Sequence, residues 1–155
     1  MNGSPPTAGA GGGAPEYVGF WARVGAALLD TIWVMLLVTP LLLLVFGSGY
    51  FTVEHALSGS ADLRETLISY GIPAVAVIAF WRGKLATPGK MAIGAQIVDA
   101  RTLGKPSLGQ LVIRYVGYFV STIPLCLGLI WVAFDRRKQG WHDKLANTVV
   151  IRVRR

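Results

Sequence analysis

The sequence predicts an all-α polytopic membrane protein. It reads as two transmembrane helices followed by a third apolar block, either a helical hairpin or a third span, with material for a small cytoplasmic β-ribbon. Three observations carry this reading. Of 155 residues, 53% are hydrophobic, and they gather into long blocks at residues 24–46, 66–81 and 107–134. The charged residues flank these blocks. Two short β-branched stretches, residues 95–100 and 148–153, bracket the third block.

The length suits one domain. Residues 1–15 are low-complexity Gly, Ala and Pro and read as a disordered tail, leaving residues 16–155 as the membrane domain. The tail lacks the basic, apolar and small-residue regions of a cleaved signal peptide, so the first helix is expected to act as an uncleaved insertion signal. Asn2 excludes the Met-Gly start of a myristoylated chain. The formal charge of +7 lies beside apolar segments and not on the face of a soluble fold. The expected partner is therefore a bilayer with anionic headgroups, and no nucleic acid. The single cysteine, Cys126, lies in an apolar run and cannot form a disulfide within the chain.

The first block is long enough to cross a bilayer, which takes about 20 apolar residues. Tyr17, Phe20 and Trp21 precede it as an interfacial aromatic belt. Pro40 is expected to kink it, because proline removes a backbone donor. The second block, from Glu65 or Thr66 to Trp81, is short and interrupted by Gly71 and Pro73. The loop between the two holds Glu54, Asp62 and Glu65 against Arg64 and reads as outside.

The next loop holds Arg82, Lys84, Lys90, Arg101 and Lys105 against Asp99, and reads as cytoplasmic. The C-terminal segment also reads as cytoplasmic, with Arg136, Arg137, Lys138, Lys144, Arg152, Arg154 and Arg155 against Asp135 and Asp143. Two basic segments cannot both be inside if one span separates them. A hairpin over residues 107–134, turning near residues 122–125, resolves the conflict. A single tilted helix whose tail breaks the charge rule is the alternative. Pairing of the two β-branched stretches favours the hairpin, because it needs both on the same side. The expected location is the inner membrane, multi-pass, with both termini cytoplasmic.

Asp30 sits inside the first apolar block. A carboxylate at that depth costs about 2.5–3.5 kcal/mol on insertion scales, so it is paired, faces the bundle interior or has a task. Arg23 lies seven residues earlier, which puts both side chains on one helix face, about 10 Å apart along the axis. One reading makes Asp30 a protonatable or cation-binding carboxylate on a translocation path. The other makes it half of a structural ion pair with Arg23 or with Arg114, the arginine inside the third block. Arg23 also fits a snorkelling anchor.

His142, Asp143 and Lys144 form either a titrating site or a helix-turn element, with Asp143 bonded to backbone donors or to Lys90. Trp141 beside them reads as an interfacial anchor. Asp135 ends the third block and reads as a cap or a partner of the basic run after it. Gly89-Lys90 is no P-loop, because Gly83 is one residue too far away and Met91 replaces the hydroxyl residue. Residues 87–98 read instead as a turn and an amphipathic segment on the cytoplasmic surface. No Cys/His spacing suits a metal, no cofactor is implied, and no Ser-His-Asp arrangement stands out, so an enzyme is not expected. Ser121 reads as a helix-packing hydroxyl.

Three segments carry a family resemblance: GFWARVGAALLD at residues 19–30, TPGKMAIGAQIVDA at 87–100 and FDRRKQGWHDKLANTVVI at 134–151. Their order and spacing resemble the RDD family of membrane proteins over about residues 19–152. The family's arginine falls on Arg23 and its first aspartate on Asp30; its other aspartates fall on Asp135 and Asp143. Asn147 stands where similar sequences often have glycine, and asparagine also tolerates left-handed backbone. The resemblance implies transport of ligands or ions, including sodium–proton exchange. A chain this small would need a homo-oligomer to enclose a path. The rival expectation is a non-transporting scaffold or accessory subunit whose Arg–Asp pairs are structural.

Overall fold

The computed structural model describes residues 14–59 and 62–153. Most of the tail assigned to residues 1–15 lies outside the described residues. The chain is mostly helical. Helix α1, Phe20–Phe46, is 27 residues long and continues through Pro40. Gly47 ends it in a positive-φ conformation, its N–H bonded to the Leu43 carbonyl. A 3₁₀ turn, Ser48–Phe51, and α2, Val53–Ser58, lead to α3, Leu63–Thr66, whose first turn is capped by the Asp62 carboxylate.

A π-helical turn, Leu67–Gly71, joins α3 to α4, Ile72–Lys84. This answers the expected interruption. Pro73 offers no N–H and its ring crowds the carbonyl four residues earlier, that of Ser69, and a widened turn at that place absorbs both without ending the helix. The helix therefore runs unbroken from Leu63 to Lys84, and the membrane-capable segment extends to Ala92, longer than the block at residues 66–81. It and Phe20–Phe46 are both long and apolar enough to cross a membrane.

Leu85 ends α4 in the left-handed region, and α5, Pro88–Ala92, follows. The expectation of a surface segment here is overturned: Gly89 and Lys90 are buried and α5 packs on α1. A cytoplasm-facing amphipathic strip would keep Lys90 in water. Instead, the missing side chain of Gly89 lets the α5 backbone approach α1 directly.

Strands β1, Ala95–Asp99, and β2, Thr148–Arg152, pair antiparallel with Ile97 opposite Val150. On the other edge of β2, Val18 N–H donates to Val150 O and Arg152 N–H to Glu16 O. The chain entering α1 is thus bound to the ribbon. Val18, Trp81, Ala95, Ile97, Leu111 and Val150 form one buried apolar cluster that ties ribbon, α4 and α6 together.

Helix α6, Leu108–Thr122, opens on a capping box in which Ser107 and Gln110 exchange side chain-to-backbone bonds. Such reciprocal caps satisfy two orphan donors. The chain then turns through Leu125 and Cys126, both left-handed, into α7, Leu127–Ile130, and a 3₁₀ turn, Trp131–Ala133. The α6 axis and the Leu127–Ala133 segment are bent by 112°, at the place where a turn was expected. Helix α8, Trp141–Leu145, packs beneath α6.

Candidate functional site

The site lies where α1, α5, α6 and α8 meet. Two aspartates organise it, and they do so separately.

Asp143, on the first turn of α8, is fully buried. Its Oδ2 accepts from Arg23 Nη1 at 2.6 Å and from the Gly140 N–H at 2.9 Å. Its Oδ1 accepts from Arg114 Nη1. Arg23 also donates to the Lys138 carbonyl at 2.5 Å and, through Nε, to the Val18 carbonyl at 3.1 Å. Arg114, itself fully buried, donates to Thr148 Oγ1 at 2.6 Å. One carboxylate thereby joins α1, α6, α8 and the start of β2. Burial works against ionisation of Asp143, but the Arg114 and Arg23 guanidiniums outweigh it and hold the carboxyl well below the usual carboxylate range.

Asp30 has different partners. Oδ2 accepts from the Thr87 hydroxyl at 2.5 Å, and Oδ1 from the Gly89 N–H at 2.7 Å. Lys90 Nζ lies 3.9 Å from Oδ2 and 3.4 Å from Thr87 Oγ1. Asp30 thus caps the N-terminus of α5 and pairs with Lys90. Neither partner considered from the sequence, Arg23 or Arg114, bonds to it, because Asp143 takes both. The Lys90 partnership considered for Asp143 is likewise replaced: Lys90 faces Asp30. The Asp30 side chain keeps 18% exposure, against 0% for Asp143.

Asp135 stands apart from both. It accepts the Arg137 and Gln139 N–H groups and pairs with Lys144 at 2.5 Å. Burial opposes its ionisation, and the Lys144 ammonium holds the carboxyl below its ordinary value nonetheless.

Ser121, His142 and Asp143 do come together, although the sequence displays no such trio. Ser121 Oγ accepts the His142 backbone N–H at 3.0 Å and lies 3.3 Å from His142 Nδ1; His142 Nε2 lies 3.6 Å from Asp143 Oδ1. The arrangement is a packing contact. Ser121 is fully buried, its oxygen is already engaged by the backbone, and Asp143 is held by two arginines. Burial pushes the His142 imidazole down to about 3; Asp143 opposes this and the Arg114 and Arg23 charges reinforce it. The contact is close because α6 and α7 present glycines. A Cβ at Gly117 would lie 2.9 Å from His142 Cα, and one at Gly128 2.7 Å from Ser121 Cα.

The residues that sequence reasoning left without a role here are Thr87, Gly89, Thr148 and Trp81. Trp81 is buried, with the Arg114 guanidinium 5.5 Å and the Tyr118 ring 6.0 Å from its ring centre. A lysine followed by an apolar run, KMAIGAQIV, is the one sequence signal that Lys90 is drawn inward. Among the described residues, no three His, Cys, Asp or Glu side chains are grouped to hold a metal.

A 75-residue stretch is 43% identical to an uncharacterized protein of Rickettsia prowazekii, covering 48% of this chain and 41% of that one. The uncharacterized membrane protein YteJ of Bacillus subtilis is 36% identical over 143 residues, 87% of this chain and 80% of YteJ. The uncharacterized protein YxaI of the same organism is 26% identical over 86% of this chain and 95% of its own length. No solved structure matches. The RDD family profile matches residues 17–147, which include Arg23, Asp30, Arg114, Asp135 and Asp143. The chain belongs to the RDD family, as a membrane protein with two helices long and apolar enough to span.

Proposed function

We propose that this protein is a transport domain for a small cation or cationic ligand, with Asp30 as the exchangeable site and sodium–proton exchange as the reaction its chemistry suits. One observation carries the reading. The Lys90 ammonium rests 3.9 Å from the Asp30 carboxylate and 3.4 Å from the Thr87 hydroxyl, at the edge of an apolar helix. A monovalent cation would seek the same oxygens, so Lys90 acts as its stand-in and competitor. The residual exposure of Asp30 supports access, while Asp143 is sealed.

Two long apolar helices and a bent pair cannot enclose a path alone, so this reading requires a homo-oligomer. The pairing of β1 with β2 supports an even number of crossings between them, with the 112° bend as a re-entrant hairpin. Both basic segments then lie on the cytoplasmic side of an inner membrane, against anionic headgroups, as the positive-inside rule asks.

A second reading, a non-transporting scaffold or accessory subunit, is favoured by one observation: Asp30 caps the α5 backbone, and Asp143 clamps two arginines. Sodium- and pH-dependent ion flux in proteoliposomes, wild type beside Asp30→Asn, separates the two. Transport predicts that the mutant folds and loses flux. A folded wild type that carries no flux under a sodium or proton gradient overturns cation exchange in favour of the scaffold.

A further inference from the structure

The buried cluster holds more donors and more positive charge than the protein itself answers. Arg23, Lys90 and Arg114 face two carboxylates, Asp30 and Asp143. His142, with its imidazole pushed down to about 3, adds no negative charge to balance them. The other nearby charges, Lys144 and Asp135, neutralise each other.

Several polar atoms here are buried and have no hydrogen-bond partner: Arg114 Nε and Nη2, Trp81 Nε1 and His142 Nε2. They belong to a single neighbourhood. The Arg114 guanidinium lies 5.5 Å from the Trp81 ring centre and 5.8 Å from that of Tyr118, and Tyr118 stacks on His142 at 4.1 Å. Buried polar groups are nearly always satisfied, and an orphan commonly marks an ion or water that belongs there. An unsatisfied N–H on a buried guanidinium is among the most costly kinds.

We propose that the unpartnered donors around Arg114, packed among aromatic rings, bind a small monovalent inorganic anion such as chloride. The guanidinium Nε–H and Nη2–H and the indole N–H of Trp81 are its donors. The surplus of one positive charge sets its valence. A cation would meet three positive groups, and a divalent anion would leave an uncancelled negative charge. The Arg114 guanidinium lies against the Trp81 and Tyr118 rings, so the anion is admitted by movement of those rings and is held occluded. The anion's donors are distinct from the Asp30–Lys90 pair; that pair balances itself, and the surplus rests on Arg23 and Arg114 against Asp143.

The test is thermal unfolding of the purified full chain in detergent, at fixed sodium concentration and ionic strength. Gluconate is replaced stepwise by chloride, bromide or nitrate. A ligand that binds only the folded protein raises the midpoint with concentration. The expected result is a saturable rise with each small anion, absent in a folded Trp81→Phe variant, which keeps the ring and loses the donor. Equal midpoints in gluconate and chloride overturn the proposal, as does an undiminished rise in Trp81→Phe. If Trp81→Phe fails to fold, ³⁵Cl NMR of the wild type decides. Line broadening that nitrate relieves supports the site; its absence overturns it.

Discussion

Gly89 lies so close to Asp30 that a Cβ placed on it would sit 2.9 Å from the Asp30 carboxylate and 2.1 Å from the Ala26 carbonyl oxygen. The obstacle at Ala26 is α1 backbone and cannot rotate away. Gly89→Ala is therefore expected to push α5 off α1, break the Asp30–Gly89 bond and cost on the order of 1–3 kcal/mol, as overpacking does. A lowered unfolding midpoint in detergent is the readout. A Gly89→Ala protein as stable as wild type would contradict this close approach.

Asp143 and Asp30 should respond differently to the same substitution. Asp143→Asn leaves Arg114 and Arg23 without their shared anion in a buried site, and breaking such a pair costs about 3–5 kcal/mol. Asp30→Asn keeps an oxygen for the Gly89 N–H but loses the acceptor of the Thr87 hydroxyl and the Lys90 pair at 3.9 Å, a hydrogen-bond loss of about 1–3 kcal/mol. Chemical denaturation of both variants ranks them. Equal losses would mean that Asp30 is as deeply committed to the fold as Asp143.

Stability should fall on acidification, beginning above the carboxylate range. His142 is held neutral, its value moved by burial from 6.5 to about 3. Between those values the unfolded chain takes a proton that the folded protein refuses. The contribution is thus complete above about pH 6.5 and is lost as pH falls toward 3. Asp99 acts in the same direction lower down. The Thr102 N–H and the Gln110 amide lower it from 3.8 to about 2, so its contribution is complete above 3.8 and fades toward 2. Denaturation midpoints at pH 7 and pH 4.5 test the first part. Wild type should be weaker at pH 4.5, and His142→Gln should show a flatter profile.

Asn147 has a φ of +52° at the turn into β2, where its carbonyl accepts from the Ala100 N–H. Left-handed backbone costs most side chains about 1–2 kcal/mol, and glycine and asparagine least. Asn147→Gly should leave the unfolding midpoint close to wild type, whereas Asn147→Val should lower it by roughly that energy. Loss of stability in both would point to a role for the Asn147 side chain beyond its backbone conformation.

Much of the framework was legible because it follows from local rules. An apolar run of fixed length becomes α1 wherever it lies, and β-branched residues at 95–99 and 148–152 become strands. A proline-bearing turn after residue 122 separates α6 from α7, and Asn147 takes the backbone that glycine would. Asp30 and Arg114 were also visible as charges inside apolar blocks. Their pairing was not. Helical periodicity put Arg23 and Asp30 on one face of α1, yet Arg23 reaches across 120 positions to Asp143, and Asp30 turns to a threonine and a glycine N–H. Charge pairing depends on which elements dock. That in turn depends on glycines at 89, 117 and 128, whose missing side chains let backbones meet. Spacing along the chain reports which residues share a helix face. Only the folded contacts report which opposite charge arrives there.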